Sequence, residues 1–218
     1  MEETLIASLP CWDKLSENEQ QMILSSSFIQ HMKKGTLTHH NSGQCSGIEV
    51  IKEGRVRVFI TSPNGNEITL YRLLTGDTCI LSAACMIKSL SLDINMEFEE
   101  ETDVIIIPKT VFKKISDENP SCAQFTLGLV SEKFSDVMWL FNQYVFSNMA
   151  QRLASSLLEH MSLEGSETLN ITHEILAKDL GTAREVVTRL LKQFQTDGIV
   201  KLSRGKIEIT DLKKLRKI

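Results

Sequence analysis

Between residues 169 and 209 the punctuation of the chain leaves few folds open. Thr172 can cap a short helix over 174–180, whose apolar positions are Ile175, Leu176 and Leu180. Gly181 follows, where a tight turn needs a residue free to take positive φ. Thr182-Ala183-Arg184-Glu185 has the spacing of a capping box opening a second helix, with Val186, Val187, Leu190, Leu191 and Phe194 on its inward face. Gly198 ends that helix, and residues 199–202 and 206–209 flank Ser203-Arg204-Gly205 as a small β-hairpin. Helix, glycine turn, helix and hairpin predict a winged helix-turn-helix. An ordinary helical hairpin with a solvated charged face would explain the two helices, but not the coincidence of cap, glycine, hairpin and outward charges.

The second helix presents Arg184, Glu185, Thr188 and Arg189 outward. That set suits a DNA major groove: arginine donates two hydrogen bonds to guanine O6 and N7, glutamate accepts one from cytosine N4, and threonine can meet a methyl group or the backbone. Amides at the helix start near Thr182, with Lys201, Arg204 and Lys206 in the hairpin, can neutralise phosphates. Charge agrees. The whole chain carries −4, yet residues 148–218 hold 12 Lys and Arg against 9 Asp and Glu, and from Thr182 onward the balance is 10 to 4. An acidic body with a basic end implies that an anion is held there, and double-stranded DNA is the expected partner.

Upstream, Pro120 can occupy the first turn of a long helix running to Tyr144 or Val145. Ala123, Leu127, Val130, Phe134, Val137, Phe141, Tyr144 and Asn148 recur in it at alternating steps of four and three. A sustained period of about 3.5 residues is the seam of a helix pair. It predicts a homodimer with Leu127, Val130, Phe134, Val137, Phe141 and Tyr144 at the interface. Phe125, Leu129, Met138 and Leu140 lie off the seam and can pack a second face on the rest of the chain. A helix wholly buried within one chain would carry similar residues.

Residues 1–34 read as one or two short helices, with Ser16 and Glu19 at capping-box spacing before Met22, Ile23 and Leu24. After Gly35 the texture turns to β. Residues 48–53, 56–61, 68–74, 92–98 and 104–107 are short alternating or apolar segments, and Ser62-Pro63-Asn64-Gly65-Asn66 supplies a hairpin turn. Short strands joined by glycine turns predict a sandwich or roll. The five cysteines, Cys11, Cys45, Cys79, Cys85 and Cys122, are scattered without a CxxC, so neither a zinc site nor a disulfide framework is indicated. No apolar run reaches the roughly 18 residues that span a bilayer. Met1-Glu2-Glu3 lacks the positive charge that opens a secretory signal, so a cytoplasmic protein with no membrane partner is expected.

On these residues the chain resembles the Crp/Fnr family of bacterial transcription regulators over almost its whole length. The run Thr182-Ala183-Arg184-Glu185-Val186-Val187-Thr188-Arg189-Leu190-Leu191 is similar to the family's recognition helix, and Gly54, Gly65 and Gly76-Asp77 sit where its rolls carry turn glycines. Glu185, Thr188 and Arg189 look more like the Fnr branch, while Arg184 is similar to the catabolite-activator branch. The resemblance implies an α+β chain: an N-terminal antiparallel β-roll (a double-stranded β-helix or jelly roll, the cyclic-nucleotide-binding-like domain), a long dimerisation helix and a C-terminal winged helix-turn-helix. It implies a sensor with N-terminal helices over 1–119, the dimerisation helix over 120–147 and the DNA-binding domain over 148–218. It further implies a homodimeric regulator on a palindromic operator, not an enzyme, with RNA polymerase as a possible partner.

The sensor departs from the family's known ligand sites. The cyclic-nucleotide branch carries Gly-Glu and then Arg-Ser where a cyclic phosphate needs a guanidinium and free amides. Here Ile80-Leu81 stand near the Gly-Glu position, and no arginine occurs between Arg72 and Arg152. Cyclic AMP is therefore disfavoured. An iron–sulfur cluster is disfavoured too, since Cys11 is the lone cysteine near the N-terminus. Haem stays open through His31, His39, His40, His160 and His173. Adjacent His39 and His40 point to opposite faces of a strand, unlike the His-x-His of a cupin metal site, so no metal is expected. An uncharged effector or a redox signal acting near Cys79, Ser82, Cys85 and Met86 fits better, although thiols packing a core would look the same. The reading from another class is a cupin-like β-roll enzyme or metal-binding protein with a basic interaction domain; it requires a clustered ligand or acid/base set that the strands do not show.

Overall fold

The computed structural model describes residues 1–40, 47–79 and 94–218. They divide into two units, residues 1–60 with 70–138 and residues 61–69 with 139–218.

The first unit opens with α1 (Glu2–Ser8), a 3₁₀ turn (Trp12–Lys14) and α2 (Glu17–Ser26). The capping box expected at α2 is present, Ser16 and Glu19 each bonding the other's backbone. The helical reading of residues 1–34 ends at Ser26: the Ser26 and Ser27 hydroxyls fold back on the Met22 and Ile23 carbonyls, and the chain enters β1 (Phe28–Met32). The remaining strands are β2 (Leu37–His40), β3 (Gly47–Glu53), β4 (Arg55–Thr61), β5 (Glu67–Leu74), β6 (Thr78–Cys79), β7 (Ile94–Phe98) and β8 (Thr102–Pro108). They form two four-stranded sheets, ordered β1-β8-β3-β6 and β2-β7-β4-β5.

Alternation explains the roll. Val56 and Val58 of β4, Leu73 of β5 and Ile94, Met96 and Phe98 of β7 share a core with Ile51, Cys79, Val104 and Ile106 of the other sheet. Ile105 and Ile107 point the opposite way, with Ile48 and Val50, into a second core under α1, α2 and α3 (Lys109–Glu118). Strand β8 is thus buried on both faces, which is why residues 104–107 read as an unbroken apolar run. On the outer face of the β2-β7-β4-β5 sheet, Arg57 pairs with Glu97 across the strands at 2.9 Å and stacks on Phe59.

Asn119 separates α3 from α4 (Pro120–Phe146), its side chain accepting the Ser121 N–H. The first turns of α4 enter the helical core through Cys122, Phe125, Leu129 and Val130. Further along, Leu127 (67% exposed), Phe134 (65%), Val137 and Phe141 form an apolar row open to water. Met138, expected to pack, is also exposed, as are Trp139 (58%), Val145 and Phe146.

The second unit is built on α5 (Met149–Glu164), opened by an Asn148–Gln151 capping box and closed by left-handed Gly165. Then come β9 (Thr168–Leu169), α6 (His173–Asp179), α7 (Arg184–Thr196), β10 (Val200–Ser203), β11 (Lys206–Ile209) and α8 (Leu212–Leu215). Strand β11 lies between β10 and β9, so the expected hairpin is a three-stranded sheet. Leu153, Leu157, Leu169, Leu176, Val187, Leu191, Phe194, Val200, Ile207 and Leu215 form one core from all of these elements, each large side chain contributing roughly 1.5–3 kcal/mol by burial.

Candidate nucleic-acid interface

The helix-turn-helix follows from three local choices. Thr172 accepts the Ile175 N–H and starts α6, as its sequence position predicts. Leu180 and Gly181 then reverse the chain, Gly181 at φ +62°. The N–H of Thr182 closes this turn on the Ala177 carbonyl at 3.0 Å. That bond corrects the capping-box expectation. Thr182 completes the end of α6, Ala183 in extended conformation is the N-cap of α7, and no side chain caps it.

On α7 the buried residues Val187, Leu191 and Phe194 fall on one side. At about 100° per residue, Arg184, Glu185, Thr188, Arg189 and Lys192 occupy an arc of roughly 140° that starts beside Leu191 and ends with Arg189 on the far side of the helix. Arg184, Glu185 and Arg189 are exposed, and among the described residues none of the three makes an ion pair. Thr188 is half-buried. Its hydroxyl donates to the Arg184 carbonyl at 2.9 Å and meets His173 Nδ1 at 2.9 Å. With the hydroxyl proton committed to that carbonyl, His173 is the Nδ1–H tautomer. Burial, and then the Arg184 charge, push the His173 pKa down and favour this neutral ring.

The turn itself is held from several sides. The Leu180 carbonyl accepts Tyr144 Oη–H at 2.9 Å and Arg152 Nη2–H at 2.5 Å, and the Arg152 guanidinium lies 3.4 Å from the Tyr144 ring centroid. Residues 61–69, the tip of the β4–β5 hairpin, belong to this unit. Ile68 pairs with Leu180 as an isolated β-bridge, and Glu67 lies 3.4 Å from Lys178. Thr69 donates its hydroxyl to Asp179 Oδ1 at 2.5 Å while His160 Nε2 meets Oδ2 at 2.7 Å, all three residues being buried. Nothing local in the sequence announces these long-range contacts; the paired Arg152 and Tyr144 are the kind of signal that composition alone hides.

In the wing, Lys201, Arg204 and Lys206 are exposed; Arg204 sits in the β10–β11 turn, and Lys201 faces Glu208 across the strands at 3.5 Å. Thr182 is half-buried beside the start of α7. The tail adds Lys213, Lys214, Arg216 and Lys217, also exposed. Of the seam residues, Leu127, Phe134, Val137 and Phe141 stand open. Val130 is half-buried against the roll's helical core, and Tyr144 is half-buried by the contacts above. Cys79 is fully buried inside the roll; Ser82, Cys85 and Met86 lie outside the described residues, as do Ile80 and Leu81. Among the described residues no group of three His, Cys, Asp or Glu side chains is arranged to hold a metal ion, and no helix is long and apolar enough to cross a membrane.

Residues 151–218 match the model of the Crp-like helix-turn-helix domain. The chain is similar to a protein of Eubacterium rectale assigned to the Crp/Fnr transcriptional regulators: 43% identity, 96% of this chain and 97% of that one covered, TM-score 0.91. It is 22% identical to the cyclic AMP receptor protein of Thermus thermophilus over 209 residues, 96% of each chain. It shares its fold with the c-di-GMP-responsive global regulator CLP of Xanthomonas campestris at 14% identity and a TM-score of 0.76, covering 90% of this chain and all of that one.

Proposed function

Because the chain belongs to the Crp/Fnr family of transcription regulators, with a Crp-like helix-turn-helix at its C-terminal end, we propose that it works as a homodimer reading a palindromic duplex through α7. The observation that carries this reading is the exposed set Arg184, Glu185 and Arg189, which makes no ion pair among the described residues, on a helix whose Val187, Leu191 and Phe194 are locked into the core. Arg184 and Arg189 donate to guanines, Glu185 accepts from a cytosine, and Thr188, its hydroxyl already engaged, offers its methyl group. Thr182, Lys201, Arg204 and Lys206 bind phosphates and set the register. Two such helices, about 34 Å apart, enter successive major grooves.

The dimer forms along α4 through Leu127, Val130, Phe134, Val137, Phe141 and Tyr144; Leu127, Phe134, Val137 and Phe141 stand exposed in this row, and the half-buried Val130 and Tyr144 border it. Residues 1–119 serve as sensor, 120–147 as dimerisation helix and 148–218 as reader, with RNA polymerase a partner on the family pattern. Control comes from a small effector other than cyclic AMP or from a redox signal, because the chain lacks arginine between Arg72 and Arg152. Such a signal acts only by binding or modifying one arrangement of the readers more strongly than another.

The test is fluorescence anisotropy on a selected palindrome and on random duplex. Arg189→Ala is expected to weaken the palindrome by about 1–3 kcal/mol and relax one base step, while Arg204→Ala weakens both duplexes alike and flattens the salt dependence. Equal losses on both duplexes for Arg189→Ala would overturn the assignment.

A further inference from the structure

Two of the cysteines that the sequence leaves scattered are in contact. Cys11, in the segment between α1 and the 3₁₀ turn, and Cys122, in the first turn of α4, place their sulfurs 3.1 Å apart inside the helical core, 111 positions apart in the chain. A disulfide needs about 2.05 Å, so a closure of roughly 1 Å, which small rotations about the two side chains can supply, would join them. The surroundings already hold both partners in place: Asn119 Nδ2 donates to the Lys14 carbonyl at 3.0 Å, and Thr126 Oγ1 donates to the Cys122 carbonyl at 3.0 Å. Cys79, the described cysteine in the roll, lies in a different core.

We propose that Cys11 and Cys122 are a reversible disulfide site, oxidised by a small peroxide, that staples the N-terminal segment to the base of α4 and thereby changes affinity for DNA. The chemistry has a defined order. Cys11 is the nucleophile, since the hydrogen bond with Cys122 holds the Cys11 thiol below the usual range, while the same bond, and then burial, push the Cys122 thiol up. The Cys11 thiolate attacks one peroxide oxygen, the O–O bond breaks and a first water leaves, giving a sulfenic acid. Cys122 attacks that sulfur, the S–S bond forms and a second water leaves. One hydrogen peroxide thus takes two electrons and two protons from two thiols. A water-sized oxidant reaches the pair when α1 opens, a seven-residue helix with no side-chain cap. The consequence for DNA rests on the reading given under Proposed function; the bond itself does not.

The experiment treats the native, reduced full-length protein with one equivalent of hydrogen peroxide. Intact mass is expected to fall by two hydrogens, a single linked peptide pair should contain Cys11 and Cys122, and dithiothreitol should restore both thiols. Cys79→Ser keeps the link, whereas Cys11→Ser and Cys122→Ser each lose it. Should either serine variant fold poorly, the wild-type linked-peptide map still decides. Linkage of other cysteines, or oxidation of Cys11 to sulfinic acid without linkage, overturns the site. Anisotropy on the selected palindrome is then compared for reduced and oxidised wild type and for Cys11→Ser under peroxide. A change of tenfold or more confined to the linked protein is the expected result. Binding by the reduced form that is unaltered by linkage overturns the switch, and failure of the reduced form to bind any duplex counts against the DNA-reading proposal instead.

Discussion

Replacing Gly181 by alanine tests whether the turn between α6 and α7 is built as described. The residue sits at φ +62°, where a Cβ costs about 1–2 kcal/mol. A second cost is particular to this site: the new Cβ would stand 2.5 Å from Ile68 Cγ1, 3.0 Å from its Cδ1 and 3.4 Å from the Tyr144 hydroxyl. Moving a packed isoleucine adds about 1–2 kcal/mol. The total is about 3 kcal/mol, or roughly 10 °C in Tm for a chain of this size. Gly205, in the wing turn at φ +72°, is the internal control, because a Cβ there meets nothing within 4 Å. Its alanine variant should lose only the conformational cost, about 1–2 kcal/mol. Urea unfolding followed by far-ultraviolet circular dichroism measures both. Adding Ile68→Ala to each variant should reveal coupling of about 1 kcal/mol or more with Gly181→Ala and none with Gly205→Ala. If the two glycine variants agree within about 0.5 kcal/mol, the packing of Ile68 on the turn is refuted.

Other consequences can be checked separately. Thr69→Val removes the hydroxyl that the buried Asp179 carboxylate accepts and should cost about 2 kcal/mol, with Thr69→Ser retaining most of it, by the same unfolding assay. His31 is bonded by Asp103 first and Glu101 second, which raises its pKa, while the same contact lowers that of Asp103. The pair therefore contributes fully between about pH 4 and 6.5, fading as pH rises through the raised histidine value or falls through the lowered carboxylate value. NMR titration should place the His31 midpoint above about 6.5, and Asp103→Asn should bring it back down. Phe134→Glu puts a charge into the apolar row of α4 and should halve the solution mass measured by sedimentation; a mass unchanged from wild type would place the dimer elsewhere.

What could be read from residues alone was the locally encoded part. Thr172, Gly181 and Gly198 mark helix ends by mechanisms confined to a few neighbouring residues, and the wing turn at Arg204-Gly205 is equally local. Alternation in β4 and the unbroken run in β8 likewise report the faces they bury. The reading failed where distant groups compete. Thr182 has the composition of a cap, but its N–H is spent closing the end of α6, so the cap falls on Ala183. Strand β9 is two residues long and exists because β11 offers it an edge. Tyr144 fits the seam by spacing yet spends its hydroxyl on Leu180. The assembly of residues 61–69 with α6, and the meeting of Cys11 with Cys122, depend on contacts between positions 110 and 111 residues apart. Periodicity carries no information about either.

The two tryptophans of this chain sit in opposite surroundings. Trp12 lies in the helical core, next in sequence to Cys11, and Trp139 stands mostly in water on α4. An indole responds in its emission to the polarity around it and is quenched by sulfur close by. The unlabelled protein therefore carries two optical reporters that need no engineering. Trp12 sees the sulfur chemistry beside it, and Trp139 sees whether anything has come to rest on the long helix. A change in one without the other would say, from a cuvette, which of the two surroundings a signal had reached.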